Sequence, residues 1–224
     1  MEIGRLIGRF FMKHMAGNRN PKVLPDRKHI ACIGDSITFG AGVMGRENLT
    51  WEYFLNEIIG NEYQVINYGV SGRTLQDEGD MPYTADRIFK RSLDCRADVY
   101  LIMLGTNDAK SYNWNRDRYE RELEAFVRRY VDLENKPRVI LMVPPRCFPD
   151  SKTGVVLFDI VPDNIDSQIS DIVTRTAEKL GLQVIDLFGH TSEHPEWFGD
   201  GVHPNAEGNR ALAEYIAENI KEVI

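Results

Sequence analysis

The feature that most narrows the folds open to this chain is an alternation. Short apolar runs at 30–33, 64–67, 98–104, 137–143 and 182–187 read as strands. Between and after them, apolar residues recur at helical spacing over 51–59, 84–93, 116–133, 163–180 and 205–220. Strands that alternate with helices cannot pair as hairpins. They pair in parallel, and the helices cover both faces of the resulting sheet. Ile30, Ala31, Cys32 and Ile33 are apolar in unbroken succession, as a strand buried on both faces requires. The expected class is α/β, with no internal repeat and one main domain over 28–224.

Residues 1–27 stand apart as an arm and linker. Ile3, Leu6, Ile7, Phe10, Phe11 and Met15 fall on one face of a helix spanning 1–17, with Arg5, Arg9 and Lys13 on another. This amphipathic segment is expected to pack on the body or on a second copy of the chain, giving a homo-oligomer, with a membrane surface as the alternative. Pro21 and Pro25 mark 18–28 as the connection. The basic residues break the run that a signal peptide would need, and no stretch is long enough to span a bilayer, so the expected address is cytoplasmic. The net charge of −7 argues against a nucleic-acid partner. The three cysteines, Cys32, Cys95 and Cys147, are too scattered for a disulfide framework or a zinc site. Cys32 and Cys95 are expected in the core, and Cys147 exposed in a loop.

Parallel sheets gather their ligands at the carboxyl ends of the strands. Three turns fall there: Gly34-Asp35-Ser36, Ser71-Gly72 and Gly105-Thr106-Asn107-Asp108. Gly34 is expected to let the chain turn, and Ser36 to present its hydroxyl to a cleft; a plain helix cap is the alternative for this serine. Asp200-Gly201-Val202-His203-Pro204 precedes the last helix. Together these residue types suit acyl transfer. His203 can take the Ser36 proton, and Asp200 can orient the imidazole. The N–H groups of Ser36 and Gly72 and the amide of Asn107 can hold a developing oxyanion.

These four blocks, in this order, resemble the SGNH hydrolases, also called the GDSL esterase/lipase family. The resemblance runs from about residue 28 to the end, and the first block reads G-D-S-I where the family name has G-D-S-L. It implies a flavodoxin-like three-layer αβα sandwich with a five-stranded parallel sheet and no metal or other cofactor. It assigns Ser36, Asp200 and His203 to catalysis and Ser36, Gly72 and Asn107 to the oxyanion hole. The stretch from Gly105 to Lys110, with Asn113 and Trp114, is similar to the carbohydrate acetylesterases of the family. The expected substrate is therefore a short acyl ester, acetyl first, on a saccharide. Lys110, Trp114, Phe148 and Trp197 are candidates for the pocket wall, with Phe198 beside them. A lysophospholipase or acyl-thioesterase, and a non-catalytic carbohydrate-binding relative, are the alternatives.

Other polar residues are expected to serve structure. Asp35 and Asp108 would tie loops through backbone N–H groups, and Asn67 would tie the second strand to a neighbouring loop. Glu52 and Glu57 read as a solvated helix face. His14, His29, His190 and His194 have no spacing that suggests a metal. The loop over 146–161 has the length and the Pro149 and Gly154 of a segment that covers a site.

Overall fold

The computed structural model describes residues 22–224. The expected helix at 1–17, and with it the oligomer or membrane contact, lies outside these residues. Leu24 donates its N–H to Gln64 Oε1 at 2.8 Å, which fastens the end of the linker to the sheet edge.

Five strands form one sheet: β1 (Lys28–Gly34), β2 (Tyr63–Gly69), β3 (Val99–Met103), β4 (Arg138–Val143) and β5 (Gln183–Asp186). Every pairing is parallel, and the spatial order is β2-β1-β3-β4-β5. The chain moves from β1 out to β2, then crosses to β3 on the other side of β1. That reversal makes the carboxyl end of β1 the switch point, where such sheets open a crevice. The order is that of flavodoxin-like folds, as the sequence resemblance implied.

The strand pleat sorts the core into two layers. Ala31, Ile33, Tyr100, Ile102, Val139 and Leu141 face one side. There they meet α4 (Arg87–Asp94), α5 (Arg116–Val131) and α6 (Ser170–Leu180) through side chains such as Phe89, Phe126, Tyr130 and Ile172. Ile30, Cys32, Leu101, Met103, Ile140 and Met142 face the other side. They meet α3 (Trp51–Ile59) and α8 (Ala206–Ile220) through Trp51, Leu55, Leu212 and Ile216. Successive residues of one strand feed opposite layers, which is why the strands read as unbroken apolar runs.

Short elements absent from the sequence expectation fill the loops: α1 (Ser36–Phe39), α2 (Arg46–Leu49) and α7 (Leu187–Thr191). The helix expected from residue 163 opens with a π-helical stretch, Asn164–Ile169, before α6. Two expectations fail. Glu52 is buried, 3% exposed, because α3 turns it beneath β2, where Asn67 Nδ2 donates to its Oε1 at 2.7 Å. Cys147 is 2% exposed, because the loop that carries it folds back onto the core.

Candidate active site

Ser36 opens α1 at the end of β1. Asp35 caps this single turn, its Oδ1 accepting from the Ile37 N–H at 2.9 Å. Gly34 serves less as a turn than as a close contact. A Cβ there would lie 2.8 Å from the Met103 carbonyl oxygen and 2.1 Å from Thr38 Oγ1, so only glycine lets α1 sit this tightly on the sheet.

The far end of the chain supplies an imidazole. Asp200-Gly201-Val202-His203 forms a turn that closes on itself: Asp200 Oδ1 accepts from the N–H groups of Val202 and His203 at 2.9 and 2.7 Å. Its Oδ2 lies 2.6 Å from His203 Nδ1. Burial acts to raise the Asp200 pKa, yet the hydrogen bonds from the His203 ring and from both backbone N–H groups outweigh it and bring it down to about 2. The carboxylate therefore stays charged at ordinary pH and fixes the ring by its Nδ1–H. His203 Nε2 lies 2.9 Å from Ser36 Oγ. The structure brings Ser36, His203 and Asp200 into one hydrogen-bonded line.

Gly72 and Asn107 face the same space. Gly72 adopts φ 78°, a left-handed conformation that favours glycine. The loop beyond it is held from two sides. Arg73 pairs with Asp86 at 2.7 Å inside the protein. Asp108 accepts from the Leu75 and Gln76 N–H groups, each at 2.9 Å. Burial pushes the Asp108 carboxyl up to about 6 against those bonds. Asn107 Nδ2 donates to Asp35 Oδ2 at 3.3 Å with one hydrogen, leaving its second for a ligand. The Asn107 carbonyl accepts from Asn113 Nδ2 at 2.9 Å. Asp35 and Asp108 thus tie loops as expected, and Asn67 holds α1 through the Thr38 carbonyl at 2.6 Å.

These groups border a cavity of about 240 Å³ lined by Ser36, Ala41, Ser71, Gly72, Thr106, Asn107, Lys110, Phe158, Ile160, Val202 and His203. A family model described as the GDSL-like lipase/acylhydrolase family matches residues 32–211, a span that includes all of the serine, glycine, asparagine, aspartate and histidine blocks. The chain belongs to this family. Proteins named as esterases are among its relatives. An acetylxylan esterase of Xylanibacter ruminicola is 33% identical over 220 residues, covering 90% of this chain and 45% of that protein. The chain thus spans about half the length of that relative. An arylesterase of Vibrio mimicus is 27% identical over 222 residues, covering 94% of each. In fold, the chain resembles an aryl esterase of M. smegmatis at TM-score 0.69 and 22% identity, covering 88% of this chain and 100% of that one. The carbohydrate acetylesterase Est24 of Sinorhizobium meliloti gives TM-score 0.70 at 19% identity, again covering 88% and 100%.

Of the four wall candidates, only Lys110 lines the cavity of this GDSL-like chain. It is 4% exposed, with Nζ 4.0 Å from Asp80 Oδ2. Burial pulls its pKa down, while Asp80, Asp35, Asp108 and Asp159 act to raise it. Trp114 packs inward against Tyr119, ring centres 5.4 Å apart, as part of the sheet-side core. Phe148 packs on Phe198 at 5.3 Å, beneath the Asp200 turn, where the Phe148 N–H donates to the Gly201 carbonyl at 2.7 Å. Trp197 stacks on His194 at 3.8 Å. All three aromatics support the loops from behind. Among the lining residues that sequence reasoning passed over, the aromatic one is Phe158. Its signal was there: an aromatic side chain inside the one long loop expected to cover a site. Among the described residues, no group of three or more His, Cys, Asp or Glu side chains is gathered to hold a metal ion, and no helix is long and apolar enough to cross a membrane.

Proposed function

We propose that this chain is a serine esterase that removes a short acyl group, acetyl first, from a saccharide. The observation that carries the proposal is the line from Ser36 through His203 to Asp200, opening on a cavity of only about 240 Å³. That space suits an acetyl group and part of an alcohol, and a long acyl tail would have to leave it.

The chemistry follows from the atoms present. Asp200 holds His203 with Nδ1 protonated, so Nε2 is free to accept. Ser36 Oγ attacks the ester carbonyl as His203 takes its proton. The carbonyl oxygen becomes an oxyanion, for which the N–H groups of Ser36 and Gly72 and the Asn107 amide are the donors. Among the described residues, no protein group accepts from either backbone N–H. The intermediate collapses, the acyl–oxygen bond to the alcohol breaks, and His203 returns the proton to the leaving alkoxide. Water, activated by His203, then attacks the acyl-Ser36 ester. It releases the carboxylic acid and restores the serine hydroxyl.

The name of the Xylanibacter relative supports acetylated xylan as the first saccharide to try. A series of p-nitrophenyl esters from acetate to octanoate, followed by acetylated xylo-oligosaccharides, tests the assignment. Activity should fall steeply beyond acetate or butyrate, and Ser36→Ala should lower kcat by ~10⁴-fold or more without changing the circular dichroism spectrum. Rates that climb towards octanoate, with acetylated saccharides untouched, would move the chain to the lysophospholipase or thioesterase reading. No turnover of any ester would leave a binding protein.

A further inference from the structure

We propose that Phe158 is a specificity-determining residue that seats the departing alcohol and favours alcohols with a flat apolar face, such as a pyranose ring. The proposal rests on the esterase reading above and adds which side of the ester is recognised, and by what.

Three observations carry it. First, the Phe158 ring meets the His203 ring at 5.5 Å between centres, with planes crossed at 70°. In the proposed mechanism His203 protonates the leaving oxygen, so the alcohol must stand beside Nε2. Gly72 and Asn107 bound the oxyanion side. Whatever touches Phe158 is therefore the alcohol portion.

Second, the ring is open to a ligand. Phe158 lines the cavity and is still 51% exposed, and its chain neighbours Leu157 and Val155 are 44% and 61% exposed. The three make this stretch of the loop an apolar surface in solvent, and Phe158 is the one of them that reaches the cavity. A pyranose ring shows axial C–H groups on its faces, which an aromatic π face attracts while both surfaces leave water.

Third, the backbone holds Phe158 in this place at a conformational cost. Phe158 and Asp159 have φ of 66° and 61°, left-handed values in consecutive residues that are not glycine. The flanking chain fixes them. The Ser111 N–H donates to the Asp159 carbonyl at 3.0 Å, and the Val161 N–H to the Ala109 carbonyl at 3.0 Å. Ile160 bridges to Lys110, which lines the cavity. The strained pair is thus pinned to the segment that follows Asn107, and the phenyl ring is aimed by the same loop that supplies an oxyanion donor. Strain kept at a cavity mouth marks a site whose geometry is used.

The test compares two acetate esters that share an acyl group and differ in the alcohol: an acetylated xylo-oligosaccharide and ethyl acetate. Phe158→Ala should lower kcat/KM for the saccharide roughly five- to tenfold, mainly through KM, with a loss of at most about twofold for ethyl acetate. Phe158→Trp should recover the saccharide activity. Phe158→Gly, which removes the ring and relaxes the backbone together, should lose the saccharide preference as the alanine variant does. Equal losses on both esters would overturn the proposal, since the ring would then serve only to hold His203. Recovery of saccharide activity by the glycine variant would also overturn it, leaving backbone geometry as the whole effect. A wild-type protein that cleaves neither ester would instead remove the esterase reading itself. One that cleaves ethyl acetate and ignores the saccharide would overturn the pyranose seat and leave the Ser36 chemistry standing.

Discussion

Asn107 is held at two points and turns one further hydrogen to the cavity. Its backbone carbonyl holds Asn113, one amide hydrogen holds Asp35, and the second hydrogen faces the cavity. Asn107→Ala should lower kcat about 10²–10³-fold with KM little changed, because the lost donor meets charge that exists only in the transition state. Steady-state kinetics on p-nitrophenyl acetate reads this directly; a large rise in KM at constant kcat would make the amide a ground-state binder. Glu52 makes a prediction of another kind. Burial pushes its carboxyl up to about 8 from an ordinary 4.5, against hydrogen bonds and Arg46, and among the described residues its Oε2 has no hydrogen-bond partner. The folded chain therefore keeps a proton that the unfolded chain releases above about pH 4.5. The associated stability is fully present below that pH and is lost as pH rises towards about 8. Glu52→Gln should flatten this fall, with a gain over wild type that grows from pH 5 to pH 8 and reaches on the order of a few kcal/mol. Urea unfolding at several pH values measures it, and a gain independent of pH would count against a protonated Glu52. Sequence alone could not place this residue. Glu52 lies among apolar neighbours at helical spacing, and only the contact with Asn67 on β2 reveals which way it points.

At the level of elements, the helix α8 and the helix α3 share one buried side chain. Asn209 Oδ1 accepts from the Trp51 N–H at 3.0 Å, and Asn209 Nδ2 donates to the Pro204 and Asn205 carbonyls, each at 2.9 Å. Asn209→Ala would strand a donor and an acceptor away from water, next to the turn that carries His203. It should cost about 2–4 kcal/mol, read as a lower urea midpoint, and should lower kcat as well. A variant as stable as wild type would show that water or a neighbour takes over those bonds. The elements that sequence reasoning found share a physical reason. Strands buried on both faces are unbroken apolar runs, and α3 and α5 show an apolar stripe after a capping residue, Thr50 and Asn115. The elements it did not find are too short to carry a period: α1 is one turn, fixed by the Asp35 cap and the Gly34 contact. Three of the site blocks were legible because each follows the end of a strand, and the fourth because its acid and imidazole stand three residues apart just before α8. The cavity wall was less so. Trp114, Phe148 and Trp197 are close in sequence to the blocks but turn away from the cavity, and adjacency along a loop does not fix which way an aromatic ring faces.

Across the whole molecule, the site joins the first strand to the turn that follows the last one. Ser36 and His203 meet across 167 positions of sequence, at the end of β1 and beyond β5. Ser36 and His203 therefore share a geometry only while the sheet between them is intact. In urea, loss of esterase activity and loss of the near-ultraviolet circular dichroism signal should coincide. Activity that disappears at distinctly lower urea would mean that the 195–205 segment melts on its own ahead of the sheet. The same separation orders events during translation. A ribosome exposes Ser36 long before it has made His203, so a nascent chain carries a hydroxyl with nothing to deprotonate it. On the proposed mechanism, hydrolytic power is withheld from unfinished protein and switches on only when the polypeptide has closed upon itself.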